Sequence, residues 1–174
     1  MVFIFEGARS SGKSYLANHA PIQNYHFPTI KLQNTLKLSM KDVSLVKDTA
    51  LLDIAGLMKQ DVIIDRCFIS TLVYGEYYKR FTEEEALAYV EWISSNVLRE
   101  QLNVFRIVYI VGEDRERSRD DGYDNIDRQR ELELFDKWLK YFSKYTIHFN
   151  NEYTQKSVDE MNIMLQKNIG GRQQ

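Results

Sequence analysis

Near the start of the chain a lysine and a serine close an eight-residue frame, Gly7-Ala8-Arg9-Ser10-Ser11-Gly12-Lys13-Ser14. Each residue type in this Gly-x-x-x-x-Gly-Lys-Ser pattern answers a need of phosphate binding. Glycines at 7 and 12 let the backbone curl so that successive N–H groups point inward at phosphate oxygens. A helix starting near Gly12 adds the positive end of its dipole at the same point. Lys13 can reach the β- and γ-phosphates as a mobile point charge, and the Ser14 hydroxyl can ligate Mg²⁺. The segment from Gly7 to Tyr15 is therefore the candidate ATP-binding stretch. A glycine-containing turn that binds nothing is the bland alternative, and the flanking pattern argues against it.

A second pair of chemical groups, Asp65-Arg66, follows a short apolar run at 62–64. An Asp at the end of a buried strand can hold Mg²⁺ through water. An Arg beside it would project over the sheet edge, where it could grip a second phosphate with both arms of its guanidinium. A surface ion pair at a strand end is the plainer reading of the same two residues.

These groups need elements to carry them. Val2-Phe3-Ile4-Phe5 is an apolar run too short for a helix, and Tyr15-Leu16-Ala17-Asn18-His19 continues past the loop with helical character, so strand, loop and helix come in the order a P-loop requires. Pro21 ends that helix. Residues 25–32 are a weak strand candidate, ragged or at an edge because of Pro28. Helical spacing runs from about 36 to 59, in one helix or two. Residues 61–66 form a short buried strand, and 68–79 a helix. Thr82-Glu83-Glu84-Glu85 is a capping-box start for a helix reaching about 101. Residues 104–111 and 145–149 are strands; 128–141 and 158–165 are helical. Alternating strands and helices predict a five-stranded parallel sheet covered on both faces, an α/β fold of the P-loop NTPase type. In such a sheet ligands bind beyond the carboxyl ends of the strands, where both chemical groups fall.

Composition bounds the rest. With 174 residues, 44% hydrophobic and 28% charged, the chain reads as a single domain over 1–169 followed by a frayed tail at 170–174. A net charge of −2 supplies no global basic field for nucleic acid. The one cysteine, Cys67, excludes an internal disulfide and suits a reducing, cytoplasmic setting. The longest apolar run, 104–111, is interrupted by Arg106 and is far short of a membrane span. The N-terminus carries no basic segment or cleavage signal. His19, His26 and His148 lack metal-ligand spacing.

The stretch Asp65-Arg66-Cys67-Phe68-Ile69-Ser70-Thr71-Leu72-Val73-Tyr74 matches the pattern Asp-Arg-Tyr-x-x-Ser-x-x-Ala-Tyr-Gln of thymidylate kinases. Phe5-Glu6-Gly7, the apolar Ala50-Leu51-Leu52-Asp53-Ile54-Ala55, and Arg128-Gln129-Arg130-Glu131-Leu132-Glu133-Leu134-Phe135 followed by Tyr141 also look like segments of that family. Over most of its length the chain thus resembles the thymidylate kinase and deoxynucleoside kinase superfamily, in a short form like phage-encoded versions. The resemblance implies transfer of a phosphoryl group from ATP to a nucleoside monophosphate. Lys13 would meet the transferred charge, Ser14 and Asp65 the metal, and Arg66 the acceptor's phosphate. Tyr74 would shape the acceptor pocket and Ser70 brace the turn. Arg9 stands where many members have an acidic residue, Gly75 where a glutamine follows the tyrosine, and Lys31-Leu32-Gln33 where members carry Arg-Glu-Pro or Glu-Pro. The match therefore reaches phosphate chemistry and not thymine recognition. A homodimer is one assembly such a chain could take.

The sign-alternating segment 113–127 lies after the fourth strand, where a lid closes over the donor in this family. Arg115, Arg117 and Arg119 are its candidates for neutralising charge on the transferring oxygens, with Arg115 and Arg119 favoured. By composition alone the segment is a solvated loop. Phe68, Tyr74, Tyr77 and Tyr78 are candidates to stack on a base or to pack in a core. Glu76 could read a base edge or face water. Three other functions stay open. A kinase acting on a DNA hydroxyl would need a basic groove. A nucleoside kinase would want a carboxylate base near the second strand. A GTPase switch would use Asp53-Ile54-Ala55-Gly56, but a helical period runs through Asp53 and no Asn/Thr-Lys-x-Asp motif accompanies it.

Overall fold

Five strands pair in one parallel sheet, in the order β2-β3-β1-β4-β5. They are β1 (Val2–Glu6), β2 (Gln23–His26), β3 (Val62–Asp65), β4 (Phe105–Gly112) and β5 (Thr146–Asn151). The structure is a computed structural model and describes residues 1–26, 33, 37–57, 60–98, 105–113 and 126–170. Among the described residues the α-helices are α1 (Lys13–His19), α2 (Met40–Leu57), α3 (Phe68–Tyr77), α4 (Glu83–Trp92), α5 (Arg128–Leu139) and α6 (Gln155–Gly170).

Strand parity divides the core in two. Val2, Ile4, Val62, Ile64, Phe105, Ile107 and Tyr109 pack with apolar residues of α2, α3, α4 and α5. Phe3, Phe5, Ile63, Val108 and Ile110 face the other way, toward Leu16 and Ala17 of α1 and Val158, Met161 and Leu165 of α6. Because side chains alternate along a strand, this parity also aims the polar residues at the strand ends. Glu6 shares a face with Ile4 and meets α3, while Asp65 shares a face with Ile63 and meets α1. Helices thus cover both faces, as the alternating pattern predicts.

Several boundaries differ from those read off the sequence. The edge strand β2 occupies Gln23–His26, pairing with β3 in the register Tyr25↔Ile64 and His26↔Asp65; residues 27–32 lie outside the described residues. Within the 36–59 region Met40–Leu57 forms one helix, α2, begun by a local bond in which the Asp42 N–H donates to Ser39 Oγ at 3.1 Å; residues 36, 58 and 59 lie outside the described residues. The capping box forms as expected: Glu85 N–H donates to the Thr82 hydroxyl, and Thr82 N–H to the Glu85 carboxylate. That helix stops being α-helical at Trp92 and continues as a π-helical turn, Ile93–Leu98. The helix α5 ends at Leu139 and tightens into a 3₁₀ segment, Lys140–Tyr145, broken at Phe142 (φ −120°). The last helix is longer than the 158–165 pattern and includes Gly170, which had been assigned to the tail. Asp53, the key residue of the switch reading, is exposed in the interior of α2, so a strand-end switch loop is not formed there.

Candidate active site

The loop between β1 and α1 is shaped by close approach. Gly7 has φ +145°, and a Cβ there would stand 2.3 Å from the Ile110 carbonyl oxygen of β4. Gly12 has φ +83°, and a Cβ there would stand 2.1 Å from Asn151 Nδ2, which donates to the Ser11 carbonyl at 2.9 Å. Both glycines are thus required by backbone conformation and by neighbours at once. Tyr153, beyond β5, donates its hydroxyl to the Ser10 carbonyl, so the loop is held from the β5 side too. Lys13 is buried and folds back on the loop, its Nζ donating to the carbonyls of Gly7 (2.8 Å) and Ala8 (2.7 Å) and to Ser11 Oγ (3.1 Å). Burial, with Arg66 nearby, pushes the Lys13 ammonium well below its ordinary range. Tyr15 is exposed, its ring 4.3 Å from that of His19.

Across the β1–β3 pairing, Ser14 Oγ donates to Asp65 Oδ2 at 2.6 Å. His26, on the edge strand, puts Nδ1 3.5 Å from the same oxygen. Burial alone would raise the Asp65 carboxyl; hydrogen bonds from His26 and Ser14 and the charges of Lys13 and Arg66 outweigh it and hold it below the usual carboxylate range. The second oxygen, Oδ1, is buried without a hydrogen-bond partner. An ionised carboxylate with an orphaned oxygen beside a serine hydroxyl fits a Mg²⁺ ion held through one or two protein oxygens, water and substrate phosphates. Among the described residues no cluster of three His, Cys, Asp or Glu forms a protein cage, which that mode of binding does not need. A bound Mg²⁺ would neutralise phosphate charge here, and Ser14 and Asp65 are the residues to hold it.

Arg66 sits just past β3 with φ +69°, a left-handed conformation that costs a non-glycine residue about 1–3 kcal/mol. Two bonds fix that turn: Arg66 N–H donates to the Phe5 carbonyl at 3.0 Å, and Cys67 N–H to Glu6 Oε1 at 2.9 Å. The guanidinium donates through Nη1 to the Tyr74 hydroxyl at 2.6 Å. Burial works against its charge, but Tyr74 and the carboxylates of Asp65 and Glu6 raise it above its ordinary value, so it stays cationic. Tyr74 in turn donates to Glu131 Oε1 at 2.6 Å. Glu131, on α5 and only 1% exposed, also accepts the Arg9 N–H at 2.9 Å. Arg128, one turn earlier, pairs with Glu131 Oε2 at 3.2 Å and donates to the carbonyls of Arg9 (2.5 Å) and Gly112 (3.3 Å).

Glu6 is fully buried and carries the turn: besides Cys67 N–H it accepts the Ser70 hydroxyl at 2.5 Å. Burial pushes its carboxyl up, against the lowering effect of those two bonds. A carboxyl whose folded pKa is raised loses stability for the fold as pH rises through that pKa, and loses nothing below the unfolded value. Glu6→Gln should therefore gain on wild type as pH rises from about 4.5 toward neutrality, and match it less well in acid. Glu6→Ala orphans two buried donors and should cost about 2–4 kcal/mol at all pH values. Chemical denaturation across pH checks both; a wild type that gains on Glu6→Gln with rising pH would contradict the assignment.

Other sequence expectations fall differently. Phe68 is not at a ligand surface: it is fully buried, its ring 5.0 Å from that of Phe142, because the first turn of α3 packs under the 3₁₀ segment. Ser70 is turned to Glu6, where its hydroxyl ties α3 to the end of β1, the bracing position that the resemblance implies for it. The Tyr74 hydroxyl is committed between Arg66 and Glu131, so only its half-buried ring remains for an acceptor. The Arg9 N–H points to Glu131 and not into the phosphate cradle. Glu76 faces neither a base nor water alone; it pairs with Lys137 (2.8 Å) and Arg130 (3.5 Å). Arg115, Arg117 and Arg119, with most of the 113–127 segment, lie outside the described residues, as does Lys31. The sequence reading missed Glu6, His26, Arg128, Glu131, Asn151 and Tyr153 as working residues. Glu6 left a signal, an acid closing a buried apolar strand; Arg128 and Glu131 left the i,i+3 pairing of an acid and a base on a helix with a buried face.

The five-stranded parallel sheet, covered on both faces and carrying a glycine loop between its first strand and helix, is a P-loop NTPase fold. No family model matches the chain, and no curated protein matches its sequence. Solved structures do match. A deoxyadenosine kinase from M. mycoides with bound dCTP superposes at TM-score 0.62 and 12% identity, covering 96% of this chain and 100% of that one. Thymidylate kinase from Candida albicans gives TM-score 0.62 at 17% identity, covering 99% and 92%. The YorR protein from Bacillus subtilis, in complex with phosphorylated GDP, gives TM-score 0.62 at 19% identity, covering 98% and 96%.

Proposed function

We propose that this chain is a nucleotide kinase that transfers the γ-phosphoryl group of ATP, with Mg²⁺, to the phosphate of a (deoxy)nucleoside monophosphate. The observation that carries the reading is the state of Arg66. It is a half-buried guanidinium at the carboxyl edge of the sheet, close enough to Lys13 for each to feel the other's charge. Among the described residues its one hydrogen-bond partner is a neutral hydroxyl. Two cations held this way, without a carboxylate paired to the guanidinium, favour an anion on each side: the donor's phosphates on the P-loop and the acceptor's phosphate on Arg66. Lys13 then meets the transferring charge, the N–H groups of residues 10 and 12–14 cradle the donor, and Arg115 and Arg119 are the further cations that neutralise charge on the transferring oxygens.

The likeness to thymidylate kinase supports a monophosphate acceptor, and the likeness to deoxyadenosine kinase supports a second reading, a deoxynucleoside. Against the second, Glu6 is committed to the turn and Asp65 to Ser14 and the place proposed for Mg²⁺, so neither strand-end carboxylate is placed as a base for a nucleoside hydroxyl. The single buried Cys67 suits the reducing cytoplasm, and no helix among the described residues is long and apolar enough to cross a membrane. The test is acceptor binding by calorimetry with a non-hydrolysable ATP analogue and Mg²⁺ present. Monophosphates are expected to bind at least about tenfold, or 1.4 kcal/mol, tighter than their nucleosides. Equal or stronger binding of the nucleosides overturns the monophosphate reading.

A further inference from the structure

The buried carboxylate of Glu131 has a place at the centre of the site that its chemistry makes hard to treat as packing. It is 1% exposed and its two oxygens meet three different parts of the machine. Through Tyr74 it reaches Arg66, in two bonds of 2.6 Å each. Directly, at 2.9 Å, it takes the N–H of P-loop residue Arg9. On its own helix it pairs with Arg128, which clamps the carbonyl of the same Arg9 and that of Gly112. We propose that Glu131 is a positioning residue that sets Arg66 and the outer turn of the P-loop from one point, so that donor and acceptor anions are held in a fixed relation to each other.

The physical case has two parts. Arg66 occupies a left-handed backbone conformation, and its long side chain has many rotamers to lose. A neutral tyrosine hydroxyl fixes it without neutralising it, and Glu131 fixes the hydroxyl by taking its proton as acceptor. Were the carboxylate to touch Arg66 directly, it would cancel the charge that an acceptor phosphate needs; the intervening phenol separates holding from neutralising. On the donor side, the Arg9 N–H and C=O are both satisfied by α5, so the loop enters phosphate binding with its outer peptide already ordered. The helix that does this begins at Arg128, capped by the Asp127 carboxylate, which accepts the Arg130 N–H at 3.1 Å.

The inference rests on the reading of Arg66 as the acceptor's arginine, and its test can fail separately because it needs no turnover. Arginine side-chain NMR on the full chain reports whether the Arg66 guanidinium is held, with Arg66→Lys used to assign the signal. Slow rotation about the Cζ–Nε bond, seen as separate Nη–H signals, is expected in wild type and in Glu131→Gln, whose side-chain oxygen still accepts from Tyr74. Averaged signals are expected in Glu131→Ala and in Tyr74→Phe. Affinity for a non-hydrolysable ATP analogue with Mg²⁺ should fall about tenfold in Glu131→Ala, which frees Arg9 and Arg128, and stay within about twofold in Tyr74→Phe, which cuts only the branch to Arg66. Should Glu131→Ala not fold, Tyr74→Phe and Glu131→Gln still decide the Arg66 branch. An Arg66 signal equally ordered in Tyr74→Phe, or an equal loss of analogue affinity in Tyr74→Phe and Glu131→Ala, overturns the proposal.

Discussion

Lys13→Ala is expected to lower turnover by at least about 10³-fold in a protein that still folds. In phosphoryl transfer the protein supplies positioning and charge rather than covalent chemistry, so losing the cation aimed at the transferring group removes much of what the site contributes. The structure gives the fold no comparable stake in this residue. Lys13 rests on two carbonyls and a serine hydroxyl of its own loop, at the expense of burying an ammonium whose charge burial and Arg66 both disfavour. Its melting temperature should accordingly stay near that of wild type. A folded Lys13→Ala protein turning over at a near-normal rate would refute the assignment of the loop.

Arg66→Ala should weaken binding of a nucleoside monophosphate by on the order of 100-fold, about 3 kcal/mol, because a charge-assisted, two-armed grip on a dianion has no neutral substitute. Affinity for the ATP analogue should change little, since the loop's N–H groups hold the donor separately. The backbone adds no difference of its own. Alanine at φ +69° is as strained as arginine, so the turn neither gains nor loses, and the loss can be assigned to the side chain. Calorimetry with both ligands separates the outcomes. Unchanged monophosphate affinity would move the acceptor to a nucleoside or a DNA hydroxyl.

How much of this could be read before folding differs by residue. The strand, glycine loop and helix were legible because the pattern is local: Gly7 to Ser14 are consecutive, and the strand and helix flanking them announce themselves by length and pattern. Asp65 and Arg66 were legible as the charged end of a short buried strand, which is where the structure puts them. What escaped was whatever depends on strand parity and helix facing. Phe68 begins the motif's helix, a candidate for base or core on sequence alone, yet α3 turns it wholly into the core. Glu131 is 122 positions from the Arg9 N–H it accepts, a separation no spacing rule spans. His26 reached Asp65 only because an edge strand of four residues pairs in the register that sets them side by side. The sequence left one helix or two open over 36–59, since nothing local marks a break, and Met40–Leu57 is one.

The most direct test of the central claim is transfer of label from the γ-phosphate of ATP, with Mg²⁺, to a panel of (deoxy)nucleoside monophosphates, nucleosides and DNA oligomers, with Lys13→Ala as the blank. The account predicts labelled nucleoside diphosphates from one or more monophosphates, absent in the blank. Label found only on nucleosides or DNA, or no acceptor-dependent label at all, would contradict it.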